Sequence, residues 1–467
     1  MTGLLLVAGF VPPVLAAWVL LGRVLPAGGH PLATNLLRAA LAAVGGPAIG
    51  SLVTYAWLNL GRTLGPGYAA VDAALFLAIA GAARRRLAAP PGAPGESVPL
   101  TRAEAMAVAA LALAAIALAA ALVARTVASP HGSWDAWAIW NLRARFLLRA
   151  GADWRFAFAD VSGSHVGYPL LLPLVVARLW SFCGETPLAP ALVAATFTLG
   201  AVAIVAAAVA VRAGVLAGAA AGLLLTGTEA FVKWGPSQCA DVPLAALVSA
   251  AAALLVLDRD PARPSGASLA LAGTFLGLAA WTKEEGLLLA VTFAGWTVVS
   301  RGGWRRLLVL GAGAALPALA WLHFRAAIAP RLAAAFTAGQ TPSSIAGRIL
   351  DPVRWGVILK SAAHLLPGRS LPLPLVAVAV ALLLGARLRE ARRSPVVAPL
   401  LAAIAGCLVV YASTPEPLEW LIATSLERVL LQPWPALVLG LLALVPARAA
   451  AAVSAVPVVP AGESLPG

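Results

Sequence analysis

Cysteine is nearly missing from this 467-residue chain, charge is sparse, and acid is sparser than base: 3 cysteines, 11% charged residues, and 19 acidic against 33 basic side chains. Cys183, Cys239 and Cys407 fit no metal or redox spacing. Each lies in or near an apolar segment, where a thiol behaves as a small hydrophobe. His131, His165 and His364 are too scattered to define a metal site, and the ligand spacing of zinc sites is absent. No strand is read anywhere, so no Gly-rich loop follows a strand to cradle a nucleotide phosphate, which sets nucleotide-dependent chemistry aside. A formal charge of +14 would point to nucleic acid in a soluble protein. In a chain this apolar, basic residues sit mostly in cytosolic loops or meet lipid phosphate, and no nucleic-acid partner is expected.

What fills the chain instead is hydrocarbon, with 61% of residues apolar. Apolar runs fall near residues 4–25, 34–60, 67–83, 104–124, 168–183, 188–211, 214–231, 241–257, 266–282, 286–300, 307–328, 371–386, 396–411 and 434–447. Runs of about membrane-spanning length from end to end are foreign to soluble folds. The reading is an all-α polytopic protein of the cell's inner (plasma) membrane, with thirteen or fourteen helices. Its first segment, Leu4 to Leu25, lacks a basic start and a small-residue cleavage site. It is therefore read as a first span, kinked at Pro12 and Pro13, rather than as a signal peptide.

Four basic connectors stand out: Arg84, Arg85 and Arg86; Arg259 and Arg263; Arg301, Arg305 and Arg306; and Arg387, Arg389, Arg392 and Arg393. The positive-inside rule puts all four in the cytosol. The segments from 266 onward then alternate, leaving 329–370 and 412–433 outside with the short connector Thr282 to Gly286, and 125–167 is outside as well. Between 104 and 257 there are five apolar segments where parity requires an even number. One of them, 168–183 or 214–231, is expected not to cross fully. The chain is expected to be a single transmembrane domain over 1–447, with extra N-terminal spans over 1–83 and a flexible tail over 448–467.

Polar and aromatic chemistry concentrates in the first outer loop, HGSWDAWAIWNLRARFLLRAGADW, residues 131–154. Read as a helix capped by Ser133, it places Trp137, Trp140, Ala144 and Leu147 on one side and Asp135, Ile139, Leu142 and Phe146 on the other. Such a helix would lie at the membrane surface with tryptophans at headgroup depth and Asp135 toward the protein body.

The run SWDAWAIWNLRARFLLRAGADW, followed by YPLLLPLVVARLW, resembles the first periplasmic loop of the GT-C glycosyltransferases, the superfamily of the protein O-mannosyltransferases and the lipid A aminoarabinose transferase. There an acid just after a membrane helix starts a juxtamembrane helix, a Gly-x-Asp-Trp-like turn ends it, and a Pro-rich start opens the next span. Asp135, the turn containing Asp153, and the stretch from Tyr168 match these parts. AGTFLGLAAWTKEEGLLLA resembles the family's Gly-rich helix ending in a Thr-Lys junction, and EPLEWLIATSLERVLLQPWP resembles the last external segment of bacterial relatives. The likeness runs loosely over 104–447. Departures are that Ala136 follows Asp135 where many relatives have a second acid, that His165, Val166 and Gly167 precede Tyr168 without a carboxylate, and that four spans precede the loop.

The resemblance implies a GT-C-like bundle of about 13 transmembrane helices with juxtamembrane helices in its extracytoplasmic loops. It also implies a transferase moving a sugar from a polyprenyl-phosphate donor to a hydroxyl of a glycan, lipid or protein acceptor, with inversion and with Asp135 as base. No cofactor is required by this reading, and a divalent ion at Asp135 is left open. Such chemistry needs a carboxylate to accept the hydroxyl proton and cations to stabilise the phosphate leaving group.

Candidate cations come first from 329–370, where Arg331, Arg348, Arg354, Lys360 and Arg369 face a single acid, Asp351, against the positive-inside tendency. A lipid-linked phosphate would explain them, and so would anionic headgroups. Arginine suits phosphate because its planar fork donates two parallel hydrogen bonds. Lys283, Glu284 and Glu285 form either a solvated helix cap or, through Lys283, a phosphate contact. Arg428 either meets donor phosphate or pairs with Glu427 or with Glu419, nine residues away and so not obliged to touch it. Asp241 reads as an N-cap, with a contact to the first-loop helix as the alternative. The competing functions are a transporter or flippase of a lipid-linked substrate and a non-catalytic envelope-assembly scaffold. Transporters place polar groups at mid-membrane on broken helices, often in related halves, whereas here they cluster in external loops without a convincing internal repeat.

Overall fold

The computed structural model describes residues 1–25, 30–86, 99–158, 167–258, 265–300, 303–329, 340–365 and 373–446. Among these residues all regular structure is helical, as apolar runs require where lipid offers the backbone no partners. The first four helices are α1 (Thr2–Leu21), α2 (Pro31–Asn59), α3 (Pro66–Arg86) and α4 (Arg102–Ala128). Next come α5 (Asn141–Arg149), α6 (Leu171–Cys183), α7 (Leu188–Ala213), α8 (Val215–Thr226) and α9 (Glu229–Trp234). The centre of the chain forms α10 (Asp241–Leu257), α11 (Ser265–Ala280), α12 (Glu284–Val299) and α13 (Gly303–Ala327). The last third adds α14 (Pro342–Ile349), α15 (Pro352–Leu365), α16 (Leu373–Leu383), α17 (Val397–Ser413), α18 (Leu418–Leu421), α19 (Glu427–Leu431) and α20 (Trp434–Leu442).

Six of these, α1, α2, α3, α4, α7 and α13, are long and apolar enough to cross a membrane. The pair α8 and α9 passes the same test together but bends by 64° at its break. Several others, among them α10, α16 and α17, are equally apolar but have only 10–17 residues. This makes the chain an all-helical protein of multi-pass membrane character. Helix α10 is buried along its whole length and is the axis of the bundle, packed by α7, α11 and α20.

Small residues let the backbones close up. A Cβ on Gly273 of α11 would stand 1.9 Å from the Leu310 carbonyl oxygen, and one on Gly313 of α13 would stand 1.8 Å from that of Ala270. Only glycine permits this approach, which is how helices pack where lipid removes the hydrophobic drive.

Of the two segments of which one is expected not to cross, 214–231 joins the bent α8–α9 unit, and 168–183 behaves differently. The Leu171 N–H, at the start of α6, donates to the Trp281 carbonyl at 3.1 Å. Past its other end, Glu185 takes Arg149 of α5 at 2.6 Å and Arg145 at 3.4 Å. Helix α6 therefore runs beside the first loop. Its Arg178, fully buried, donates to Asp72 of α3 and to the Gly9 carbonyl of α1, while Tyr68 completes the carboxylate's shell at 3.1 Å. This ties α1 and α3 to α6.

Candidate functional site

Four segments that are remote in sequence meet at one end of the bundle. Asp135 opens a π-helical turn, Ala136–Trp140, and Asp241 is the first residue of α10. Lys283, in extended backbone, precedes α12, and Arg428 lies in α19 just after a second π-turn, Ile422–Leu426. Such wide turns often mark functional positions because they re-aim side chains within a helix.

The side chains interlock. Arg428 donates to Asp135 and lies 3.6 Å from Asp241. Lys283 stands 2.9 Å from Asp241 and 2.9 Å from Glu285, and Gln432 donates to Asp241 at 2.9 Å. Burial would strip the proton from Lys283, but Asp241 and Glu285 outweigh it and hold its pKa well above the ordinary range. Burial likewise opposes the Arg428 charge, and Asp241 and Asp135 again outweigh it, raising the pKa. Three carboxylates thus face two cations, and an incoming anion would compete with a carboxylate for its partner. Exposure grades across the cluster. The Lys283 and Asp241 side chains are 4% and 3% exposed, whereas Asp135 is 24% exposed.

Aromatic rings wall the cluster. Tyr168 stacks on Trp140 at 5.4 Å with the planes 5° apart, and the Lys283 ammonium lies 5.7 Å from the Tyr168 ring. Arg428 lies over Trp234 at 5.2 Å. Glu427 accepts from Lys233 and from the Trp234 indole, each at 2.7 Å. On the other side Arg325 pairs with Glu284 at 3.2 Å, and burial pushes the Glu284 carboxyl up. The Nε of Arg428, the indole N–H of Trp281 and the Oδ1 of Asn141 are buried without a hydrogen-bond partner.

Behind the acids runs the turn 235–240. Gln238 accepts from Asn141 at 2.8 Å and donates to the Pro130 carbonyl at 3.0 Å. The Ser133 N–H donates to the Ser237 carbonyl at 3.1 Å, and the Ser133 hydroxyl lies 3.1 Å from the Cys239 thiol. Gly132 has a φ of +75°, and a Cβ there would come within 2.5 Å of the Ser237 oxygen.

Of the candidates from sequence, Asp135, Asp241, Lys283 and Arg428 come together, with Tyr168 beside them. Glu284 points to Arg325 instead, and Glu285 takes the place beside Lys283. Glu419 is exposed at the start of α18, and Arg428 bridges Asp135 and Asp241 rather than reaching Glu419 or Glu427. Asp153 is exposed in the 3-10 turn Gly151–Phe158. Arg348 donates to the Ser413 carbonyl at 2.8 Å and Arg354 to the Thr414 carbonyl at 2.8 Å, so both cap the end of α17. His165, Arg331 and Arg369 lie outside the described residues.

Three expectations are corrected. Asp241 makes no side-chain cap; its carboxylate turns to Lys283, Gln432 and Arg428. The Ser133 hydroxyl meets Cys239 rather than a helix N–H. Trp140, Ala144 and Leu147, expected to face outward, are buried, whereas Trp137 on the same expected side is exposed. The π-turn is the cause, because its wider pitch rotates everything after it out of the assumed 100° phase. Gln432 and Trp234 were not singled out, and Glu285 was named only as part of the Lys283 junction. The one available signal for Glu285 was its place beside Lys283.

A cavity of about 130 Å³ lined by Arg212, Arg387, Glu390 and Ser394 shares no residue with this cluster. Among the described residues no group of three His, Cys, Asp or Glu side chains is placed to hold a metal ion. No protein-family model, curated protein or solved structure matches the chain.

Proposed function

We propose that this chain is an integral-membrane glycosyltransferase that moves a sugar from a polyprenyl-phosphate donor to an acceptor hydroxyl on the extracytoplasmic face. The observation that carries the reading is the Asp135–Arg428–Asp241–Lys283 chain of contacts, which puts a partly exposed carboxylate against a guanidinium that buried groups hold in place. In the reaction the acceptor oxygen attacks the anomeric carbon as its proton passes to Asp135. The bond from that carbon to the phosphate oxygen breaks, and its electron pair leaves with the phosphate toward Arg428. Direct attack inverts the centre. Donor phosphate competes with Asp135 for Arg428, so binding the donor frees the base.

The membrane arrangement belongs to the same proposal. With α6 lying along the outer loop and α8–α9 counted once, thirteen crossings remain. The basic connectors then face the cytosol and the cluster faces outward.

The test is the affinity for a short-chain polyprenyl monophosphate, measured on the purified protein. Arg428→Lys keeps the charge but replaces a two-pronged donor by a point charge. It is expected to weaken binding about tenfold or more, the size of one lost charge-assisted hydrogen bond. Arg348→Ala and Arg354→Ala should stay within about twofold, because their guanidiniums hold helix-end carbonyls. A flat profile across all three would remove the phosphate site and favour a transporter or scaffold.

A further inference from the structure

We infer that Gln238 is a positioning residue that fixes the spacing between Asp135 and Asp241, so that a single guanidinium, Arg428, reaches both. Why the spacing matters rests on the transferase reading, but the test below does not depend on it.

Gln238 is the one non-glycine residue with a positive φ among the described residues, at 58°. It is also buried, at 3% exposure. Glutamine has no intrinsic taste for this region, which single Asn or Asp residues tolerate through their short polar side chains. Its surroundings must impose the conformation, and they are the two flanks of the Asp135 turn. The carboxamide accepts from Asn141 on one side of Asp135 and donates to the Pro130 carbonyl on the other. The neighbouring backbone grips the same segment through Ser133 and leaves no room for a side chain at Gly132.

Asp241 follows three residues after Gln238, as the first residue of α10, so one short piece of chain carries one acid and clamps the segment that holds the other. Gln238 appears in none of the cluster's ion pairs; it acts through the turn. The same clamp holds Asn141, directly after the π-turn, and Pro130, before Ser133, so it spans the segment whose register 3.6-residue winding would change. Removing the carboxamide frees the first loop to rewind and carries Asp135 away from Arg428.

The experiment measures what Asp135→Asn does in two backgrounds, the parent and Gln238→Gly. Glycine accepts the left-handed backbone without strain and removes only the clamp. The readouts are affinity for geranylgeranyl phosphate and apparent melting temperature in detergent. In the parent, Asp135→Asn frees Arg428 from its internal competitor and tightens binding about two- to fivefold, the worth of a partly exposed ion pair. In Gln238→Gly the same change is expected to do nothing, because Asp135 no longer faces Arg428.

A residue that merely stabilised the fold would lower the melting temperature and leave the Asp135→Asn effect intact, which would overturn the inference. Should the parent bind no geranylgeranyl phosphate, the phosphate reading falls by itself. The coupling of Asp135→Asn with Arg428→Lys in melting temperature then decides, since it must exist in the parent and vanish in Gln238→Gly. Gln238→Asn, which accepts the backbone but is one methylene too short to bridge both partners, replaces the glycine variant if that fails to fold.

Discussion

Asp135→Asn is expected to slow sugar transfer by about 10²–10⁴-fold, the usual contribution of a positioned acid–base group, while the protein melts within a few degrees of the parent and binds polyprenyl phosphate at least as tightly. The reasoning is electrostatic. The change deletes one negative charge and the proton acceptor but keeps the shape and the hydrogen-bond acceptor toward Arg428. Because Asp135 is the most exposed acid in direct contact with Arg428, its loss leaves no buried charge without a partner. Transfer at a near-normal rate would mean that another group accepts the proton, and Glu285 would be next to examine, since it faces the same cations at 22% exposure.

Lys283→Met should act in the opposite way, on the fold before the chemistry. Lys283 and Asp241 are almost wholly buried, and Lys283 neutralises Glu285 as well. Taking away Lys283 leaves the buried Asp241 with Arg428 at 3.6 Å as its remaining cation in a medium that solvates its charge poorly, at a cost of about 3–5 kcal/mol. Adding Asp241→Asn removes the stranded charge and should restore much of the loss, because Gln432 and Arg428 can still meet an amide oxygen. The measurement is the apparent melting temperature of the two single variants and the double variant. A double variant that loses the simple sum of the singles would show that the two side chains do not depend on one another.

Much of this was legible in the sequence, for physical reasons that also mark where legibility stops. Hydropathy is local, so the all-helical architecture and most helix positions follow from it. Length is local too, yet six helices meet a membrane-spanning length by themselves, and the shorter ones acquire meaning only from how they pack. The parity of the basic connectors left 168–183 and 214–231 as alternatives, and what the ends of α6 pack against, Trp281 and Arg149, could not be read from charge or hydropathy. Asp135 and Arg428 were each noticed, but their partnership spans 293 residues of sequence and no periodicity connects them. The loop arginines drew attention by sign alone. Arg348 and Arg354 turned out to hold carbonyls at the end of α17, a local role that charge counting cannot separate from phosphate binding. Trp137 and Ile139 lie on the sides expected of them, and the burial of Trp140, Ala144 and Leu147 is traced to the π-turn, which nothing in AWAIW announces. Gln238 left no trace either, since glutamine, unlike Gly, Asn or Asp, does not announce a left-handed backbone.

The most direct test reconstitutes the protein in vesicles with an acceptor-containing membrane extract and presents a panel of polyprenyl-phosphate sugars carrying label in the sugar. The account predicts that one donor class passes its label to a product no longer attached to the carrier, that polyprenyl phosphate is released in equal amount, and that Asp135→Asn abolishes both. Label that crosses the bilayer still joined to its polyprenyl phosphate, in the parent and in Asp135→Asn alike, would contradict it and make the chain a transporter.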